Sequence, residues 1–241
     1  MANFLKEAIL RPDGDGNLTV IYLVRHGITQ SGIDGRHIGQ KADEDLTDEG
    51  MRQARTLADM LRLQGIAAIY SSPLKRAVST ARIIRDEMVR YNPSLPQVFQ
   101  VDRFTELDIG VFEGSTDSEI ASNFPVVLEQ RTKDKWGFGI PRDPRDNGRG
   151  ESYSDLVARV KGPVDDIIRR HAFDSVCIVG HQGVNRAILK CLLGDQFPNE
   201  RVPYILISHE GFYRAEQEGD AFRMTKVTPG LQTTNEERFT F

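Results

Sequence analysis

The sequence predicts an α/β fold, a three-layer sandwich in which a mostly parallel central sheet carries helices on both faces. Two observations carry that prediction. Short apolar runs alternate with stretches of helical periodicity along most of the 241 residues. Two of those runs, "VIYLVRHG" and "DSVCIVGH", end in a histidine beside a glycine, as strands do when they deliver side chains to the carboxyl edge of a parallel sheet.

The elements follow in order. After the turn-like "DGDGN", Thr19 to Val24 read as a buried strand that stops at Arg25, His26 and Gly27. In "TDEGMRQARTLADMLRLQG", Thr47 is the expected helix cap, Asp48 and Glu49 suit the positive end, and Gly65 ends the segment. Met51, Ala54, Leu57, Ala58 and Leu61 form its inward stripe. "IAAIYSS" is the second strand. In "SSPLKRAVSTARIIRDEMV", Ser72 is the expected N-cap and Pro73 stands in the first turn, with Leu74, Ala77, Ala81, Ile84 and Met88 on the packed side. "QVFQV" is a third strand. The polar, mixed stretch 112–150 is expected to be a lid-like insertion within a single domain spanning 1–241. "ESYSDLVARVKGPVDDIIRRH" is helical by the spacing of Leu156, Val160, Val164, Ile167 and Ile168, with a break expected before Pro163. "DSVCIVGH" repeats the strand-to-histidine pattern and leads into the helix of "GVNRAILKCLL", and "EGFYRAEQ" and "AFRMTKV" close the chain as strands.

Composition narrows the function classes. With 31 Lys and Arg against 35 Asp and Glu the net charge is -4, the wrong sign for a nucleic-acid protein. Any anion must therefore be met locally. Cys177 and Cys191 sit in apolar runs without a second thiol at ligand spacing, so they read as core residues in a reducing compartment. The first residues lack an apolar signal region and no apolar run nears about 18 residues, which points to a cytoplasmic enzyme and away from the membrane.

In a parallel sheet Arg25, His26 and His181 reach the same edge. Two distant histidines could be a metal pair, but the cationic residues Arg25, Arg76 and Arg186 accompany them in these segments. Cations repel a metal and attract phosphate, and guanidinium forks match phosphoryl oxygens, so phosphoryl transfer without a metal is expected.

Six blocks in order, "LVRHG", "LTDEGMRQA", "YSSPLKRAVSTA", "FTELDIGVFEG", "GESYSDLVARV" and "VGHQGVNRAIL", resemble the histidine phosphatase, or phosphoglycerate mutase-like, superfamily. The resemblance implies no cofactor and a phosphohistidine on His26. It implies that Arg25, Arg76 and His181 hold the phosphoryl oxygens and that Glu106 protonates the leaving oxygen and then activates water. Glu106 would then need an environment that favours its protonated form, by burial or by nearby negative charge.

Within the superfamily, "DGRHIGQKADEDLT", "RTKDKWGFGIP" and "GHQGVNRAIL" most resemble the fructose-2,6-bisphosphatase domain. That resemblance makes Arg131, Lys135, Tyr153, Gln182 and Arg186 candidates for holding a sugar and its second phosphate, with Gly27, Arg36 and Gly39 lining the substrate. Arg131 and Lys135, four apart, would share one side of a helical turn. Two positions depart from the pattern. Gly32 stands where an Asn touches the transferred phosphate, and Asp117 replaces a Tyr, where its charge would repel a second phosphate. The expected partner is a small phosphorylated metabolite. Competing readings are a phosphoglycerate mutase, a phosphoprotein phosphatase and a phospho-ligand binding module. Of the other histidines, His37 borders the pocket loop and His171 is structural at a helix end; His209 reads first as a turn residue and second as a residue lining the site from the last connection; Trp136 and Phe138 are expected in or under the lid.

Overall fold

The computed structural model describes residues 18–95, 97–143, 148–219 and 221–228. The "DGDGN" turn and the N-terminal stretch read for a signal region lie outside these. The elements in order are β1 (Val20–Arg25), α1 (Gln30–Ile33), α2 (Asp48–Leu61), β2 (Ile66–Ser71), α3 (Lys75–Met88), β3 (Phe99–Gln100), α4 (Asp117–Asn123), α5 (Pro125–Lys133), α6 (Tyr153–Arg170), β4 (Ser175–Gly180), α7 (Gln182–Leu193), β5 (Phe212–Glu218) and β6 (Ala221–Val227). Short 3-10 turns at Asp102–Phe104 and Gly110–Phe112 flank Glu106.

The sheet runs β3-β2-β4-β1-β5-β6. Strands β1 to β4 are parallel, and β5 and β6 add an antiparallel edge. Alternation along the inner strands splits the core in two. Ile21, Leu23, Val176 and Ile178 pack with Leu156, Val160, Ile188 and Leu189 from α6 and α7. Val20, Tyr22, Val24, Ile69 and Val179 pack with Leu57, Leu61, Ala77, Ala81 and Ile84 from α2 and α3. Both sheet faces are covered, so these strands read as continuous apolar runs. Cys177 is buried and Cys191 half-buried; both are free thiols, which burial pushes up to about 12. Among the described residues no helix is long and apolar enough to cross a membrane.

Local signals set most helix starts. Thr47 accepts from the Gly50 amide, and Ser152 forms a capping box with Asp155. Three expectations change. Met51 is only half-buried, and Gln53 takes the inward position instead. Ser72 is not a cap: α3 begins at Lys75, whose amide is taken by Asp43 Oδ1 at 2.6 Å. The break before Pro163 is absent, and α6 runs unbroken through it. Pro163 is half-exposed, so the missing hydrogen bond and the ring fall on the partly solvated side of the helix.

A close approach fixes the turn after β1. A Cβ on Gly27 would lie 2.3 Å from the Gly50 carbonyl oxygen, and one on Gly50 would lie 2.3 Å from that of Ile28. Backbone meets backbone there, with nothing flexible to yield. Gly50→Ala is expected to cost about 1–3 kcal/mol by overpacking, read as a lower urea midpoint at unchanged slope.

Candidate active site

Strand register builds the site. Arg25 pairs with Gly180 and Ser71 with Val179. One residue further on, the His26 amide donates to the Gly180 carbonyl at 3.0 Å and the Ser72 amide to that of Val179 at 3.1 Å. His26, His181 and Ser72 therefore leave three adjacent parallel strands at one edge, where ligands collect in such sheets.

The His26 ring is buried, with its centroid 5.1 Å from that of His181. Its Nδ1 lies 2.8 Å from the Gly27 carbonyl oxygen. A carbonyl only accepts, so Nδ1 carries the proton and Nε2 keeps its lone pair. Burial, then the charges of Arg76 and Arg25, hold His26 well below the ordinary imidazole pKa. His181 is fully buried and is depressed by burial, then by Arg76 and His26. Arg76 Nε donates to His181 Nδ1 at 3.2 Å, which leaves His181 Nε2–H to donate to Ser72 Oγ at 2.7 Å.

The two arginines are held from outside the pocket. Arg76 is fully buried and donates Nη1–H to the Ala42 carbonyl and Nη2–H to the Gly39 carbonyl, each at 2.8 Å. Arg25 donates Nη1–H to Gln182 Oε1 at 3.2 Å and to the Ile207 carbonyl at 3.3 Å, while its buried Nε has no protein partner among the described residues. Burial lowers the Arg25 pKa to about 10, so it remains a cation at neutral pH.

Glu106 is buried against the first turn of α7. Its Oε1 accepts from the amides of Leu107 at 2.7 Å and Val184 at 3.1 Å, and its Oε2 from Gly183 at 3.0 Å. Gly183 permits this approach, because a Cβ there would lie 2.5 Å from Glu106 Oε1. The carboxyl is buried as expected, but its close neighbours are backbone donors and not anions.

A lone pair on a buried neutral imidazole near two fixed guanidinium groups suits in-line attack on a phosphoryl group. A family profile described as histidine phosphatase superfamily (branch 1) matches residues 21–228. The chain belongs to the histidine phosphatase superfamily.

The chain is 31% identical over 187 residues to 6-phosphofructo-2-kinase/fructose-2,6-bisphosphatase 1 of Rattus norvegicus, covering 77% of this chain and 34% of that protein. The match thus spans about a third of the length of such bifunctional relatives. It is 32% identical over 174 residues to phosphoserine phosphatase 1 of Hydrogenobacter thermophilus, covering 72% of this chain and 76% of the relative. Two solved structures share its fold. They are the alpha-ribazole phosphatase from Shigella flexneri, at TM-score 0.71 and 23% identity over 89% of this chain and 100% of the other, and the mycobacterial glucosyl-3-phosphoglycerate phosphatase, at 0.70 and 24% over 87% and 97%.

The fold of this histidine phosphatase brings most of the second residue set beside the first. Gln182 links to Arg25 and also donates Nε2–H to the Ile205 carbonyl at 2.8 Å. Arg186 donates to the Tyr153 hydroxyl at 2.7 Å, and Arg131 lies 5.2 Å above the Tyr153 ring. Lys135 Nζ sits 4.5 Å above the Tyr204 ring. Arg131 and Lys135 do not share a helical turn, because α5 ends at Lys133 and Arg131 Nη1 donates to the Lys135 and Phe138 carbonyls.

Other positions differ from their expected roles. Arg36 donates to Glu119 at 2.9 Å and to the Gly114 carbonyl at 2.7 Å, so it fastens the loop after α1 to α4. Gly39 acts through its backbone, its carbonyl on Arg76 and its amide on Glu113 at 2.9 Å. Gly27 likewise offers its carbonyl to His26, while its amide donates to Thr80 Oγ1 at 2.9 Å. Asp117 is 95% exposed and pairs with His37 Nε2 at 2.7 Å, and Gly32 lies in α1 without a side chain. His171 is structural, bonded to the Tyr70 hydroxyl at 2.8 Å. Trp136 packs on the main core and Phe138 on the small cluster of Phe112, Ile120 and Ile140.

The role of Ser72 was missed, and for His209 the second reading, a residue lining the site, is the one that holds. His209 is not merely a turn residue: its Nδ1–H donates to the His26 carbonyl at 2.5 Å and its ring centroid lies 5.5 Å from that of His26. Burial, then Arg25, depress its pKa to about 4. Ser72 orients His181. The double serine of "YSSPLKR" at a strand end was a signal for Ser72, whereas nothing local marks His209.

Proposed function

We propose that this histidine phosphatase hydrolyses a small, doubly anionic phosphate monoester, of which fructose 2,6-bisphosphate is the leading candidate, through a phosphohistidine on His26. The observation that carries the reading is the fixed His26 tautomer: Nδ1–H is tied to the Gly27 carbonyl, which leaves the Nε2 lone pair on a ring that feels the charges of Arg76 and Arg25. In the first step the Nε2 lone pair forms the N–P bond as the P–O bond to the leaving group breaks, and Glu106 gives that oxygen its proton. In the second step water attacks phosphorus, the N–P bond breaks back to Nε2, and the water proton returns to Glu106. Oε2 of Glu106 accepts only the Gly183 amide, so it is the oxygen with room for that proton.

Arg25, with its unpartnered buried Nε, and Arg76 hold the equatorial oxygens. His181 sets Arg76 and offers Nε2–H to a phosphoryl oxygen that displaces Ser72. Arg131, Lys135, Tyr153, Gln182 and Arg186 receive the second anionic group and the sugar. The described residues of 112–150 serve as a lid over the site of a cytoplasmic domain, and the exposure of Asp117, together with its pairing to His37, weakens the repulsion expected of it.

The test is phosphate release by chelator-treated protein from fructose 2,6-bisphosphate, with fructose 6-phosphate, phosphoserine and 3-phosphoglycerate plus a bisphosphoglycerate primer in parallel. Preference for the bisphosphate by about 100-fold in kcat/KM, roughly 2.7 kcal/mol, is the expected result. Equal rates on phosphoserine would move the specificity to simple monoesters, and isomerisation of phosphoglycerate would make the enzyme a mutase.

A further inference from the structure

The segment that carries Glu106 has little secondary structure of its own, only the two short 3-10 turns on either side. Its backbone carbonyls need donors from elsewhere, and one side chain supplies most of them. Arg159, on α6, donates Nη1–H to the carbonyls of Arg103 at 2.6 Å and Thr105 at 2.9 Å and to Thr105 Oγ1 at 3.1 Å. Its Nη2–H donates to the Glu106 carbonyl at 3.2 Å.

The same guanidinium is clamped by Glu151, with Nε to Oε1 at 2.6 Å and Nη2 to Oε2 at 2.8 Å. Glu151 Oε2 in turn accepts the Asp108 amide at 3.1 Å and Gln40 Nε2 at 3.2 Å, and Gln40 also donates to the Glu106 carbonyl at 2.8 Å. The pair is largely shielded, with side chains 19% and 18% exposed. Backbone groups on both sides of Glu106 therefore end on one bidentate ion pair.

We infer that Arg159 and Glu151 form a positioning unit that holds the Glu106 carboxyl at the first turn of α7, facing the leaving group. The inference rests on the proton-donor role proposed for Glu106. Only a planar guanidinium reaches three carbonyls and a carboxylate at once; a lysine ammonium has three donors on one atom and cannot span them. Each acts through the backbone around Glu106, where the bonds of Arg159 and Glu151 end.

Leaving-group dependence separates this role from a general structural one. Proton donation matters for an alkyl phosphate, whose alcohol is a poor leaving group, and little for p-nitrophenyl phosphate. Arg159→Lys and Glu151→Gln are each expected to lower the ratio of alkyl to aryl kcat/KM by about 30-fold, a loss within the range that general acid catalysis supplies. Glu106→Gln, measured alongside, should lower the same ratio by about 100-fold or more. Should Arg159→Lys fail to fold, Gln40→Ala at its half-buried site should shift the ratio in the same direction by a smaller factor. A selective Glu106→Gln with unselective Arg159 and Glu151 variants would overturn the positioning role alone. An unselective Glu106→Gln would overturn the proton-donor reading and this inference with it.

Discussion

His26→Ala is expected to reduce turnover by about 10⁴-fold or more and to abolish covalent labelling by a phosphorylated substrate. The Gly27 carbonyl holds the proton on Nδ1, and burial together with the charges of Arg76 and Arg25 keeps the ring neutral, so Nε2 is a ready nucleophile. Both nitrogens of His181 are engaged, by Arg76 and Ser72, and His209 is bonded to the His26 backbone carbonyl. The measurement is acid-stable or acid-labile radiolabel on protein quenched within one turnover, with a urea melt to show that the variant is folded. Phosphohistidine is acid-labile and base-stable, so the label should survive base only. Undiminished labelling of the variant would remove His26 from the role of nucleophile.

Stability should fall steeply as pH drops below about 6.5, the ordinary imidazole value. Burial holds His26, His181 and His209 neutral in the folded chain, at pKa values below that of the unfolded chain. Below about 6.5 the unfolded chain binds protons at these three sites and the folded chain does not, so unfolding is favoured as pH falls. Each ring contributes about 1.4 kcal/mol per pH unit, and three together roughly 4 kcal/mol per unit. The His209 share ends near pH 4, where the folded protein also protonates that ring. Urea midpoints between pH 7 and pH 5 check this, and His209→Asn should remove about a third of the slope. A flat profile over that window would mean that the three rings take up protons within the fold.

The alternation of apolar runs and helical periodicity was enough to specify the layers, because each element's buried face follows from its own repeat. Thr47 and Ser152 act as caps from within their own segments, so they too were legible. "VIYLVRHG" and "SVCIVGH" placed Arg25, His26 and His181 at one edge, since parallel strands end on the same side. Local pattern failed where a partner lies far along the chain. Ser72 resembled a helix cap until the order β2-β4-β1 set it beside His181, 109 residues away. Arg36, read as a substrate ligand, is drawn to Glu119 across 83 residues.

His209 and Arg159 mark the same boundary. His209 meets His26 across 183 residues and Arg159 meets Glu106 across 53, and no repeat of 2 or 3.6 residues reports such a meeting. The sequence by itself determined the fold class, the two strand-end histidines and the arginines that accompany them, because local periodicity and residue chemistry encode those. Only the tertiary structure decided which hydroxyl orients His181, which ring stands behind His26 and which ion pair grips the Glu106 segment, because strand order and the docking of α6 bring together groups that the chain itself keeps far apart.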